Sequence, residues 1–241
     1  MQMGNSFLLS GGLELDFMIH GVFSYQVFGQ TVWITATHVC VLIVILVMTA
    51  FCILARVKMK KATEVPGAFQ NILELLVEFL DGLVNGTLEK FAPAFRNYIG
   101  TAFIFIWLCN TSGLFGLRNP TADYGLTFGL AVITFILVNI SEFKYHKVKG
   151  YIKHLFEPMP VFLPMNIIGK FSYTVSLSLR LFANNLSGII MMLMVYVLLR
   201  PIAYVWPAFL HVFFDVFVGS LQAYVFCVLS MIYIKNACVG E

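Results

Sequence analysis

Charged side chains are scarce in this sequence. Asp, Glu, Lys and Arg make up 11% of the 241 residues, whereas they make up about 25% of an ordinary soluble domain. Hydrophobic residues make up 60%, and the mean hydropathy is +0.88. The shortage of charge excludes a soluble globular domain, and a net charge of only +3 gives no reason to expect a nucleic acid partner. The composition therefore predicts an integral membrane protein.

Motifs of catalysis and metal binding are also missing. The five cysteines form no CxxC pair, and the sequence holds no HExxH, no GxSxG and no phosphate-binding glycine loop. No Lys or Arg precedes Arg56, so the N-terminus lacks the basic start of a cleaved signal peptide. We therefore expect a single membrane domain that is not an enzyme by itself and that holds no cofactor, metal or nucleotide site.

Long apolar runs divide the chain, and a membrane-crossing helix needs about 20 mostly apolar residues. After an external N-terminal segment at 1–30, the runs predict crossings at 31–55, 97–117, 124–143, 164–199 and 201–235. The last two runs are longer than a perpendicular crossing needs, so they are expected to tilt strongly. Residues 66–90 carry Glu74, Glu78 and Asp81 at helical spacing among apolar residues, a pattern typical of an amphipathic interfacial helix.

Basic residues set the expected orientation. One cluster of four lies between Arg56 and Lys61, and another cluster of four lies between Lys144 and Lys153. Because basic loops stay in the cytoplasm, the N-terminus is expected outside and the C-terminus inside. Glu142, next to the second cluster, is expected to be a solvated cytoplasmic residue. The predicted fold class is an all-α integral membrane protein with five transmembrane helices plus one amphipathic interfacial helix.

Arg180 lies near the middle of the run at 164–199. An arginine at a membrane helix centre costs about 2.5–3.5 kcal/mol on insertion scales. A functional role is therefore the default interpretation of Arg180. The stripe of residues within about 60° of it on a helix is mostly small or polar. It includes Gly169, Tyr173, Ser176, Ala183, Asn184 and Ser187. Small residues allow another helix to approach closely. Because nothing nearby in this helix neutralises Arg180, the stripe predicts a partner helix that carries an anion.

The last run carries a second polar stripe. His211, Asp215 and Gln222 fall within about 40° of Asp215 if the helix is regular. His211 and Asp215, one turn apart, can share or relay a proton. The alternative is that the two groups simply neutralise each other inside a bundle. A metal site is a weaker interpretation, because no further ligands can be placed.

These motifs resemble subunit a of the F-type ATP synthases. The resemblance rests on "SLSLRLFANNLSG" at 176–188 and "HVFFDVFVGSLQAYVFCVLSMIY" at 211–233. It extends to "PGAFQNILELLVEFLDGLV", "NPTAD" and "PMNIIGKFS", in the family's order over residues 65–234. It implies a stator that forms two aqueous half-channels and conducts H⁺ or Na⁺ to and from carboxylates of a rotating c-ring. The implied partners are the c-ring, the peripheral-stalk subunit b, the rest of the synthase and the lipid bilayer. The membrane is expected to be a bacterial plasma membrane.

The resemblance also implies residue roles. Arg180 matches the family's essential arginine, and Gln222 matches a glutamine packed near it. Asp215 matches an external-channel position that usually holds His or Glu. The implied ion pathway comprises Asp215, His211, Gln222, Asn184, Asn185 and Ser176. Three positions that are often acidic or polar in the family hold Gly169, Lys170 and Ile189 here.

A secondary cation transporter is the alternative function, since it too would place an arginine and an aspartate at mid-membrane. Such carriers usually show inverted repeats and broken helices around a central site. The sequence shows no matching pair of halves, which favours the stator.

Overall fold

A computed structural model describes residues 7–9, 13–15, 21–27, 30–60, 67–117, 119–156, 163–198 and 206–239. Arg118 and Arg200, the basic residues of the two expected external turns, lie outside these described residues. The described part of the chain consists of two short strand pairs followed by helices.

The two antiparallel strand pairs precede the helices. Strand β1 (Phe7–Leu9) pairs with β2 (Leu13–Leu15), and β3 (Gly21–Val27) pairs with β4 (Gln30–Thr35). Residues 31–35, the expected start of the first span, therefore belong to β4. A short apolar run does not by itself distinguish a strand from the start of a helix.

The helices carry the membrane part of the fold. They are α1 (Ala36–Met59), α2 (Ala68–Leu88), α3 (Ala92–Thr111), α4 (Tyr124–Phe156), α5 (Leu163–Leu198), α6 (Trp206–His211) and α7 (Gly219–Val239). Within the described residues, five stretches are long and apolar enough to cross a membrane: Ala36–Met59, Ala68–Phe115, Tyr124–His146, Pro164–Val197 and Phe209–Val239. The predicted class, a helical membrane protein with five spanning helices, is confirmed.

Helix α2 occupies most of the range predicted for the amphipathic helix. It buries Leu73, Leu80, Val84 and Leu88, which lie on one face because they are spaced by seven and four residues. Glu89 follows with a positive φ of 49°, which is uncommon for a residue other than glycine, and α2 ends there before the chain enters α3. The chain therefore turns where the predicted interfacial helix meets the second span.

The main core lies where α3, α4, α5 and α7 meet. Its fully buried side chains include Ile99 and Ile106 of α3, Leu181 of α5, and Phe226 and Met231 of α7. Close packing of this kind resists rotation of one helix against another. The core thus holds α5 and α7, the helices with the predicted site residues, against the rest of the chain.

Glu142 is not solvated, and the sequence-based expectation for it is wrong. Its residue exposure is only 4%, and both of its carboxylate oxygens accept hydrogen bonds from Lys170 Nζ at 2.7 Å. Helix α4 continues past the predicted end of the third span at 143. Glu142 therefore lies within α4 and not at its end. Lys170 of the neighbouring helix α5 forms an ion pair with it.

Candidate functional site

Arg180 lies in the middle of α5 with its side chain exposed on the surface of the chain. Ser176, Ala183 and Ser187 are exposed with it, whereas Leu177 is buried. Part of the predicted stripe is thus an outer face of the protein, whereas Tyr173 of the same stripe stacks on Tyr233 of α7, with ring centroids 4.5 Å apart. Arg180 forms no ion pair or hydrogen bond with any residue that the structure describes.

The two asparagines that follow Arg180 are both half-buried. Asn185 donates from Nδ2 to the carbonyl oxygen of Leu181 in its own helix, at 2.9 Å. Such a bond to the preceding turn holds the amide against the helix backbone. Asn184 lies one turn after Arg180 and is the closer of the two to the exposed stripe in helical register.

A hydrogen-bonded chain joins His211 and Asp215 to α5. His211 Nδ1 lies 3.1 Å from Asp215 Oδ2, and His211 Nε2 lies 3.1 Å from the hydroxyl oxygen of Tyr196. The structure therefore brings His211 and Asp215 together as predicted from their spacing, and it adds Tyr196. In this Tyr–His–Asp chain each ring nitrogen has one partner, so a change of tautomer can carry a proton across the imidazole.

These three side chains line a cavity of about 390 Å³. The other lining residues come from the α3–α4 connection and from α5: they are Gly113, Gly116, Leu117, Asn119, Gly188, Ile189, Met192 and Leu193. Asn119 is 8% exposed, and its Oδ1 has no hydrogen-bond partner among the described residues. The cavity thus combines apolar walls with a few polar groups, as binding cavities usually do.

Gly113 allows two of these polar groups to approach the backbone. A Cβ at this position would lie 2.6 Å from Asn119 Oδ1 and 2.8 Å from Asp215 Oδ2. Real Cβ atoms do not tolerate such distances, so only glycine fits without moving Asp215. Because Gly113 has no side chain, the Asp215 carboxylate can lie close to the backbone at the cavity wall.

Asp215 lies in a π-helix, Val212–Val218, between α6 and α7. π-Helices are rare and occur frequently at functional sites. At the end of this segment, Asn110 Nδ2 of α3 donates a hydrogen bond to the carbonyl oxygen of Gly219, the first residue of α7, at 2.9 Å. Thr121 Oγ1 in turn donates to Asn110 Oδ1 at 2.7 Å. Buried polar bonds thus anchor the helix that carries Asp215 to α3.

The π-helix changes the predicted polar stripe. The stripe of His211, Asp215 and Gln222 assumed an unbroken α-helix, whereas a π-helix turns less per residue. Gln222 is buried at 6% exposure, while His211 and Asp215 are half-buried at the cavity. The single stripe therefore does not continue across the π-helix, and Gln222 faces the interior.

Sequence reasoning missed Tyr196, Asn119 and Gly113. Tyr196 is 15 residues from His211 and in another helix, so no periodicity connects them. Asn119 belongs to the turn motif "NPTAD", which gives no indication of a cavity. A glycine directly after the polar residues Thr111 and Ser112, inside an apolar span, was the signal that could have marked Gly113.

Comparison with known proteins identifies the family. The family model described as "ATP synthase A chain" matches residues 38–235. The chain belongs to this family. Among its relatives, "ATP synthase subunit a, sodium ion specific" of Propionigenium modestum is 31% identical over 240 residues, covering 93% of this chain and 78% of the relative. ATP synthase subunit a of Moorella thermoacetica is 36% identical over 183 residues, covering 76% of this chain and 82% of the relative.

A third ATP synthase subunit a, from Limosilactobacillus fermentum, is 28% identical over 241 residues and covers 91% of this chain and 98% of the relative. Membership of the ATP synthase subunit a family gives the chain its role as the ion-translocating stator of the Fo membrane sector. It works with the c-ring and the rest of the F-type ATP synthase, and it is an integral membrane protein. A secondary transporter is therefore not supported.

Proposed function

We propose that Arg180 is the fixed cation that successive c-ring carboxylates meet. The observation that carries this proposal is the exposed face of α5, where Arg180 lies among small residues without a described anionic partner. A cation at the centre of a membrane span is costly without a counter-charge, so we infer that the counter-charge of Arg180 comes from another chain. The small side chains of Ser176, Ala183 and Ser187 allow a ring helix to approach closely.

The cavity beside Tyr196, His211 and Asp215 is the entrance half-channel in this proposal. With the N-terminus outside, as the basic loops indicate, the ends of α3 and α5 that line it lie on the external side. Asp215 and His211 receive the ion there. Asn184, Ser176 and the buried Gln222 contribute polar surroundings to the arginine, and Asn185 has a lesser part because its amide is bonded to its own helix.

Rotation follows from electrostatics. A ring carboxylate next to Arg180 has its pKa lowered by the positive charge and gives up its ion to the cytoplasmic exit. The site must be neutral again before it turns into lipid, because a charged carboxylate in hydrocarbon is costly. Arg180 also repels passing cations and so separates the two half-channels. One charge crossing 100 mV supplies about 2.3 kcal/mol, so several ions are needed for each ATP.

We place the chain in a bacterial plasma membrane, with its C-terminus in the cytoplasm. The basic clusters around Arg56 and Lys144 support this orientation. The bacterial relatives support the location. The coupling ion is H⁺ or Na⁺. The Tyr–His–Asp chain suits proton exchange, whereas the relative from Propionigenium modestum is named as sodium ion specific.

Ion pumping by the reconstituted complex tests the proposal. We expect vesicles that hold the complete complex to build an ion gradient when ATP is added. Complexes prepared without this chain should hydrolyse ATP and build no gradient. A gradient of normal size without the chain would contradict the proposal. In the same assay, stimulation of hydrolysis by sodium would identify Na⁺ as the coupling ion, and indifference to sodium would identify H⁺.

A further inference from the structure

A buried ion pair joins α4 to α5 on the cytoplasmic side of Arg180. Glu142 is 4% exposed, and Lys170 Nζ lies 2.7 Å from each of its carboxylate oxygens. The Lys170 side chain is 20% exposed. The function proposed above does not use this pair. A charge pair this well buried has to be held in one geometry, because breaking a buried pair is strongly destabilising.

Arg180 lies between two polar tethers of α5. Lys170 is ten residues before it, or about 15 Å along the helix axis, and it binds α4. Tyr196 is 16 residues after it and contacts His211 beyond α5. The buried hydroxyl of Ser178, between the tethers, bonds to the carbonyl oxygen of Val175 in its own helix. Apolar contacts at Leu177 and Leu181 complete the buried face of this stretch.

The roll of α5 about its own axis decides where Arg180 points. A roll of 20° moves a side-chain tip at the helix surface, at a radius of about 5–6 Å, by about 2 Å. A displacement of 2 Å is enough to break a hydrogen bond. Apolar packing constrains a roll less sharply than two hydrogen bonds to a carboxylate do, because those bonds have preferred distances and angles.

We infer that Glu142 and Lys170 are positioning residues that fix the roll of α5 and thereby aim Arg180 at the ring. This inference rests on the proposed function of Arg180. The pair does not touch the ring or the moving ion. Its loss is expected to turn the guanidinium away from the position where it separates the half-channels, so that ions leak through the membrane sector without rotation.

Membrane vesicles with the complete complex provide the test. ATP-driven pumping is measured first. The nucleotide-binding sector is then stripped, and passive ion uptake is followed under a potassium-diffusion potential set with valinomycin. Both rates are divided by the amount of assembled membrane sector. The variants are Lys170→Met, Glu142→Gln, the exchanged pair Glu142→Lys with Lys170→Glu, and the conservative Lys170→Arg. Arg96→Met is the control, because Arg96 pairs with Asp81 between α2 and α3, away from α5.

Both single variants should raise the ratio of leak to pumping, by about tenfold or more if the arginine moves by an ångström or so. Lys170→Arg, and the exchanged pair if it assembles, should return the ratio toward that of the unmodified complex, and Arg96→Met should not change it. A pair that acts directly on passing cations would give opposite changes, with leak raised by Lys170→Met and lowered by Glu142→Gln. That result, or an equal fall of leak and pumping, would overturn the inference.

Arg180→Ala in the same vesicles separates the two proposals. If Arg180→Ala retains coupled pumping, the proposed function itself fails. If Arg180→Ala loses coupled pumping while both single variants of the pair keep the ratio of the unmodified complex, only the positioning role fails.

Discussion

Replacing Arg180 with alanine should abolish gradient-driven ATP synthesis and leave assembly of the complex largely intact. The expected loss is complete within detection, because the variant has no fixed positive charge to lower the pKa of a ring carboxylate. Assembly should survive because the Arg180 side chain is exposed and bonds to no residue that the structure describes. Synthesis is measured in vesicles energised by an imposed ion gradient, together with the amount of c subunit that co-purifies.

The matched control is Lys144→Ala. Lys144 is also an exposed cation, but it lies in α4 beyond the apolar centre of the span. It should keep normal synthesis. Coupled synthesis at the normal rate in Arg180→Ala would contradict the assignment of this residue. Loss of the c-ring from the purified complex would mean instead that Arg180 acts in assembly.

Asp215→Asn should slow ion translocation more than Asn185→Ala does. A positioned group that transfers protons commonly contributes about 10²–10⁴-fold, so the loss at Asp215 is expected to reach at least tenfold. The asparagine keeps the shape of the side chain, and His211 remains at hydrogen-bonding distance. The neutral amide, however, is not protonated near neutral pH and lacks the negative charge that attracts a cation. Passive uptake by stripped vesicles measures this step directly, without the nucleotide-binding sector.

Asn185→Ala is the reference for Asp215→Asn. Asn185 bonds to the Leu181 carbonyl of its own helix, so its loss should change the rate by no more than about twofold, the usual range for substitutions away from buried networks. Equal, normal rates in both variants would remove Asp215 from the entrance path. Slower ion uptake in Asn185→Ala than in Asp215→Asn would indicate that the entrance path runs past Asn185 and not past Asp215.

The sequence was sufficient for the features that follow from hydropathy and charge. Five spans and the isolated Arg180 could be predicted because lipid makes a polar residue costly and therefore conspicuous. The pairing of His211 with Asp215 could be predicted because their spacing is one helical turn. The exposed, small-residue face around Arg180 followed from the same periodicity.

Contacts between distant parts of the chain could not be predicted. Glu142 and Lys170 are 28 residues apart, and each resembles a residue at a solvated helix end when seen alone. The Tyr196–His211 contact depends on the packing of α5 against α6, which no local pattern encodes. The π-helix also escaped prediction, because a hydropathy count at 100° per residue assumes the regular geometry that the π-helix breaks.

The central claim is that the Arg180 face of α5 meets the c-ring, and cysteine cross-linking tests it most directly. In a background without the five native cysteines, Ser176→Cys is paired with a cysteine placed one helical turn from the ion-binding carboxylate of subunit c. Leu46→Cys is the control, because Leu46 is an exposed residue of α1, which packs on α3. We expect oxidation to join subunits a and c through position 176 and not through position 46. Failure of position 176 to cross-link, together with its labelling by a lipid-soluble thiol reagent in the assembled complex, would contradict the account.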